Sequence, residues 1–196
     1  MDGGAGGGFE VVGMAASAGG LTALSTVLKE LQADSPAPVL VVQHLDPRHR
    51  SVMAEILDRR IPLQVKEAQA GDRLRPGLVF VAPPNHHLLV NPGGTLELTE
   101  TELVHFVRPS ADLLFESIAA GFHQRAIAVI LSGTGSDGAM GAKAVKQMGG
   151  TVIAQDQTAE FAGMPQAAID AGAVDFVLSL AEIPGALVSL VSGGQP

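Results

Sequence analysis

Ser17, His44 and Asp137 are the residues of this chain whose types could together do covalent chemistry. A serine hydroxyl is a weak nucleophile until a general base takes its proton. A histidine base works best when a carboxylate fixes its tautomer and stabilises the imidazolium. Each residue alone has a plainer reading. A serine after a strand usually caps or turns, a histidine can pack against a backbone carbonyl, and an Asp-Gly pair such as Asp137-Gly138 is usually a turn or a helix N-cap. What sets the three apart is a shared address. VVGMAA precedes Ser17, PVLVVQ precedes His44 and AIAVILSG comes shortly before Asp137, and each of these apolar runs reads as a β-strand. Three strand ends on one edge of a sheet would bring together nucleophile, base and acid for acyl transfer.

The surroundings of Ser17 fit that role mechanically. Ala15, Ala16, Ala18, Gly19 and Gly20 are all small, as a serine lifted on a sharp strand-to-helix turn requires. The helix that starts near Gly20 points its free amides and positive end at the turn, and the Ala18 amide directly after the serine is an expected oxyanion donor. The elbow departs from G-x-S-x-G at Ala15. The chain order Ser, His, Asp also differs from the Ser, Asp, His order of α/β-hydrolases, which excludes that family. Dinucleotide binding fits worse: after Gly13 the other fingerprint glycines are Ala15 and Ala18, and the second strand ends in Gln43-His44, not an acid. No Gly-Lys-Ser/Thr follows, so a P-loop is excluded.

The elements that would position these residues alternate along the chain. A strand at 9–15 precedes a helix with Leu21, Leu24, Val27, Leu28 and Leu31 at helical spacing. A strand at 38–45 precedes a helix carrying Val52, Ile56 and Leu57. LQVKEA and LVFVAPP are two further strands, and residues 86–100 read as a β-hairpin turning at Asn91-Pro92-Gly93-Gly94. The alternation then resumes with ADLLFESIAAGFH, a helix with Ser110 as its expected cap, and with the continuous apolar run AIAVILSG of a central parallel strand. The pattern predicts an α/β fold: a doubly wound, mainly parallel, Rossmann-like sheet with helices on both faces, plus the hairpin insertion. Ligands in such folds sit at the carboxyl ends of the strands, near a topological switch point.

Composition bounds the rest. The chain has 196 residues, 46% hydrophobic and 16% charged, enough for one core-bearing domain. Residues 1–8 read as a flexible glycine-rich leader and 9–192 as a single catalytic domain. The formal net charge of −8 and the absence of tyrosine and tryptophan argue against nucleic-acid binding. No apolar run approaches the ~18 residues of a membrane span, so no membrane insertion is expected. The lack of cysteine removes disulfides, thiolate zinc sites and a cysteine nucleophile, and is compatible with a reducing cytoplasm.

The blocks GMAASAGGLTAL, VVQHLDPRHRS, VKEAQAGDRLRPGLVFVAPPNHHLLV, RPSADLLFESIA, VILSGTGSDGAMGAKAVKQMGGTVIAQD and GMPQAAIDAGAVDFVL resemble, in order, the catalytic domain of the chemotaxis protein-glutamate methylesterase (CheB) family. The resemblance runs from about Phe9 to Val191, and the QHLDP and SGTGSDG wording is closest to the branch fused to a receptor methyltransferase. It implies a cytoplasmic serine hydrolase that removes methyl esters from glutamates of chemoreceptors, with deamidation of receptor glutamines as a second family activity. It puts the catalytic serine, histidine and aspartate on Ser17, His44 and Asp137, and a second oxyanion-hole amide on Thr134. Family members with a regulatory domain usually have Met at Thr134 and Gly at Ala15. No metal or organic cofactor is implied. The expected protein substrate is a methyl-accepting receptor, with a methyltransferase or receiver protein as a further associate, since no receiver domain is expected in the stretch before Phe9.

A helical receptor surface needs a docking patch beside the site. Arg48, His49, Arg50, Arg59 and Arg60 cluster after His44, and Arg48 and Arg50 are the candidates for steering. Met164, in the segment resembling the family's GMP, is expected as rim packing first and substrate contact second. His86 and His87 precede the hairpin without metal-ligand company and read as loop residues. The competing reading of the whole chain is a catalytically weak signalling or binding module of the same fold.

Overall fold

The computed structural model describes residues 10–44 and 51–194. The expected leader therefore lies outside the described residues. Among the described residues nine strands form, in chain order: β1 (Val11–Ala16), β2 (Val39–Gln43), β3 (Gln64–Glu67), β4 (Leu78–Val81), β5 (His87–Val90), β6 (Leu96–Thr99), β7 (Ala126–Ile130), β8 (Thr151–Gln155) and β9 (Phe176–Leu178). The helices are α1 (Gly20–Leu28), α2 (Met53–Asp58), α3 (Ala111–Phe122), α4 (Ala139–Gln147), α5 (Gly163–Asp170) and α6 (Ile183–Val191).

Seven strands make one parallel sheet in the order β3-β4-β2-β1-β7-β8-β9, and β5 and β6 pair antiparallel as the separate hairpin. Strand order reverses at β1, with β2 on one side and β7 on the other. That is the switch point where an open parallel sheet leaves a crevice. Successive side chains of a strand face opposite ways, so each central strand feeds two cores. Val11, Ala15, Leu40, Val42, Phe80, Ala128 and Ile130 pack under α3, α4, α5 and the hairpin. Val12, Met14, Val39, Val41, Val79, Ile127 and Val129 pack under α1, α2 and α6.

The end of the first helix differs from the sequence pattern. Helix α1 ends at Leu28, and its last turns tighten through Glu30 N–H to Val27 O and Leu31 N–H to Leu28 O, which still buries Leu31. Helix α6 begins at Ile183, where Pro184 sits in the first turn and can donate no amide bond. No helix among the described residues is long and apolar enough to cross a membrane.

Candidate active site

Parallel register puts Ser17 and His44 side by side. Ala16 pairs with Gln43, and the His44 amide donates to Ala16 O at 3.1 Å. On the other flank, the Ser17 amide donates to Ser132 O at 3.0 Å, continuing the β1–β7 pairing past Ile130. The small residues after Ser17 let the chain reverse at once. Gly19 takes φ 74° and α1 starts at Gly20. Gly20 has no alternative: a Cβ there would fall 1.9 Å from Gln43 Oε1 and 2.8 Å from the Ala16 Cβ. The Gln43 side-chain amide lies at that gap and donates to Ser17 O at 2.7 Å and His44 O at 3.1 Å, which ties the turn after β1 to the end of β2. Ala15, the departure from the elbow pattern, is a paired residue of β1 whose methyl is buried in the core under α3 and α4. It does not enter the turn.

His44 Nε2 lies 2.7 Å from Asp137 Oδ2 and donates to it, with both side chains largely buried. Nδ1 is then the ring nitrogen that keeps a lone pair. Ser17 is half-buried, and its hydroxyl makes no hydrogen bond with a described residue. Asp137 precedes α4 but does not cap it. It caps α3 instead: the Ala111 amide donates to Oδ2 at 2.6 Å and the Asp112 amide to Oδ1 at 3.2 Å. Ser110, the expected N-cap of α3, makes no cap bond of its own and donates its hydroxyl to Asp137 Oδ1 at 2.7 Å. The cap expected of Ser110 is thus supplied by Asp137, because the carboxylate can take both amides and leave the hydroxyl as a fourth donor. Burial pushes the Asp137 carboxyl upward, but the bonds from His44, Ala111 and Ser110 outweigh it and hold the group below its ordinary range.

The arrangement is reciprocal. Asp112, in the first turn of α3, accepts from the Gly138 amide at 3.0 Å and the Gly141 amide at 2.7 Å, and so caps α4. The helices come this close because residue 141 is glycine; a Cβ there would meet Asp112 O at 2.6 Å. Burial raises the Asp112 carboxyl, only partly relieved by the Gly141 bond, and the Asp137 charge adds to the rise. Its Oδ2 has no aligned hydrogen bond, with His105 Nε2 at an ion-pair distance of 3.2 Å. Removal of the side chain and of the charge alone should therefore differ. Asp112→Ala leaves two buried amides open and is expected to cost about 2–4 kcal/mol. Asp112→Asn keeps Oδ1 and removes a buried charge, and should stay within about 1 kcal/mol of the parent. Urea midpoints at pH 7 separate the two; equal losses would show that the amides are not what Asp112 serves.

His87, expected as a loop residue, opens β5 and is fully buried. Its Nε2 donates to Glu102 O at 3.0 Å and its Nδ1 accepts from the Ser110 amide at 3.1 Å, and burial lowers its pKa, which keeps the ring neutral. His86 donates from Nδ1 to Pro84 O and pairs with Glu100 at 3.1 Å.

The loop after β7 carries Thr134, an exposed residue whose amide, like that of Ala18, makes no hydrogen bond with a described residue. Its position is set from both sides, since Gly133 N–H donates to Phe161 O at 2.8 Å and Gly133 O accepts from Met164 N–H at 2.9 Å. Met164 itself is completely buried, so it packs beneath the loop and offers no surface for substrate contact. Arg48 and Arg50 lie outside the described residues.

Sequence reasoning missed Gln43, Ser132, Gln155 and the hub role of Ser110 and Asp112. Ser132 donates its hydroxyl to Ala18 O at 2.8 Å and receives the Phe161 amide at 3.1 Å, while its own amide donates to Gln155 Oε1 at 3.0 Å. A signal was available for three of them: VLVVQ, AIAVILS and TVIAQ are apolar strands that each end in one polar residue. A polar group there must find a partner inside the crevice.

The CheB methylesterase family profile matches residues 12–187. A Leptospira interrogans protein provisionally named protein-glutamate methylesterase/protein-glutamine glutaminase is 40% identical over 183 residues, covering 93% of this chain and 95% of its own. A Moorella thermoacetica protein-glutamate methylesterase/protein-glutamine glutaminase is 42% identical over 191 residues, covering 95% of this chain and 45% of its own. The crystal structure of the Thermotoga maritima CheB methylesterase catalytic domain superposes with a TM-score of 0.89 at 38% identity, over 93% of this chain and 99% of that one.

Proposed function

The chain belongs to the CheB methylesterase family, and from that membership we propose that it hydrolyses glutamate methyl esters of chemoreceptors through Ser17, His44 and Asp137. The observation that carries the reading is the His44–Asp137 pair at 2.7 Å, beside Ser17 at the switch point of the sheet. Ser17 Oγ attacks the ester carbonyl carbon while His44 Nδ1 takes its proton and Nε2–H stays on Asp137. The amides of Ala18 and Thr134 receive the oxyanion. Collapse of the tetrahedral intermediate breaks the C–O bond, and the imidazolium returns its proton to the departing oxygen as methanol. Water, deprotonated by His44, then cleaves the acyl-serine to glutamate and restores the hydroxyl. With a glutamine side chain the same steps release ammonia, the glutaminase activity in the names of the relatives. The protein substrate is a methyl-accepting receptor met in the cytoplasm, and an associated methyltransferase or receiver protein is the natural source of control.

Methanol release from a methylated receptor panel tests the proposal, and release with at least one receptor is the expected result. A fluorophosphonate probe separates it from the non-catalytic module. Labelling that maps to Ser17 supports the enzyme, whereas no labelling and no methanol would overturn it.

A further inference from the structure

We propose that the turn Leu103–Val107 is the docking element for the receptor segment that carries the ester, with Phe106 as its anchor; the proposal rests on the esterase reading above. Val104 and Val107 bond to each other in both directions, at 3.2 and 2.9 Å, and enclose a two-residue loop of His105 and Phe106. Both central residues are left-handed, at φ 49° and 65°. Such loops are normally Asn-Gly or Asp-Gly, because a Cβ is disfavoured at positive φ. Two large side chains held there call for a reason. The His105 side chain has one inside the protein, since its ring reaches Asp112. Phe106 has none: it is 94% exposed, and Leu103 beside it is 54% exposed.

The location supplies the reason. Phe106 and Leu103 form the lip of a cavity whose wall includes His44, Asn85, Arg108 and Pro109. A side chain that delivers an ester to Ser17 and His44 must bring its neighbours across this lip. Of the four left-handed non-glycine residues among the described residues, three (Asn85, His105 and Phe106) belong to this one region. Backbone strain gathered beside a catalytic base is the pattern of a site held for binding. The turn is also fastened to the catalytic acid. Arg108 donates to Asn85 Oδ1, Glu100 O and Thr101 O. From Glu102 O a line of bonds runs through the His87 ring and Ser110 to Asp137. A receptor segment seated on Phe106 is therefore registered against His44 by a rigid path. The occupant is an amphipathic protein segment with an apolar side chain one helical turn from the esterified glutamate, which would cover Phe106 while the ester enters the crevice.

The test compares methylated receptor with p-nitrophenyl acetate, which carries no protein segment to seat on the turn. Phe106→Ala should raise KM for the receptor about tenfold, as expected for truncation of one apolar anchor. It should leave kcat on receptor, and kcat/KM on p-nitrophenyl acetate, unchanged. Phe106→Leu should recover most of the receptor KM. An unchanged receptor KM in Phe106→Ala, or an equal loss on both substrates, overturns the docking role and leaves the esterase reading intact. A parent enzyme that cleaves p-nitrophenyl acetate but releases no methanol from any receptor overturns the esterase reading and the docking role together.

Discussion

On the proposed mechanism, Ser17→Ala should lower methanol release from methylated receptor by roughly 10⁵-fold or more, because without the proposed nucleophile only binding and oxyanion stabilisation would remain. The same variant should unfold at the parental urea midpoint. The Ser17 hydroxyl makes no hydrogen bond with a described residue, while its backbone amide and carbonyl, which hold Ser132 and Gln43, survive the substitution. The expected outcome is thus an inactive protein of unchanged stability. Residual turnover within tenfold of the parent would exclude Ser17 as the nucleophile.

Asp137→Asn should differ from it in kind. All four groups that face this carboxylate are donors: the His44 ring, the Ser110 hydroxyl and the amides of Ala111 and Asp112. An asparagine must turn its NH₂ toward one pair. The His44 ring can change tautomer and the Ser110 hydroxyl can rotate, but a backbone amide cannot become an acceptor. Whichever way the side chain lies, one first-turn amide of α3 loses its bond, at a cost of about 1–3 kcal/mol. If the NH₂ faces His44, the ring must accept at Nε2 and carry its proton on Nδ1, the wrong nitrogen for Ser17, and activity should fall by about 10⁴-fold. The pH dependence adds a sign. A carboxyl held below its ordinary value of 3.8 stabilises the fold fully above that value and loses the contribution as pH falls through its lowered folded value. The stability gap between parent and Asp137→Asn should therefore be full at pH 7 and narrow below about pH 4. Denaturation curves across that range, with p-nitrophenyl acetate turnover at pH 7, check both halves. A variant as stable as the parent at pH 7 would contradict the capping role.

Much of this is legible in the amino-acid sequence alone. The alternation of short, near-continuous apolar runs with helical spacing carries the doubly wound sheet, because its parallel strands are buried on both faces. Ser17 and His44 were legible as neighbours because both follow the last residue of a strand in a sheet whose register is parallel. Asp137 stands seven residues beyond Ile130, and its strand-end address was enough to nominate it. What it touches was not legible. The Ser110 and Asp112 bonds cross 25 to 29 positions and exist only because two helix N-termini meet at Gly141. Ser110 has the composition of a local cap, and local composition cannot report that a distant carboxylate has taken that place. The turn at His105 and Phe106 was invisible for a related reason, since nothing in those side chains announces positive φ.

The exchange of caps between α3 and α4 also changes how an intact aspartate at position 137 should be interpreted across a family. A descendant that no longer met any receptor would still be selected to keep Asp137, because its loss weakens folding. The Ser17 hydroxyl has no such second employment and would drift first. In homologous chains, the serine therefore records whether the chemistry is still in use, while the aspartate records only that the protein must fold.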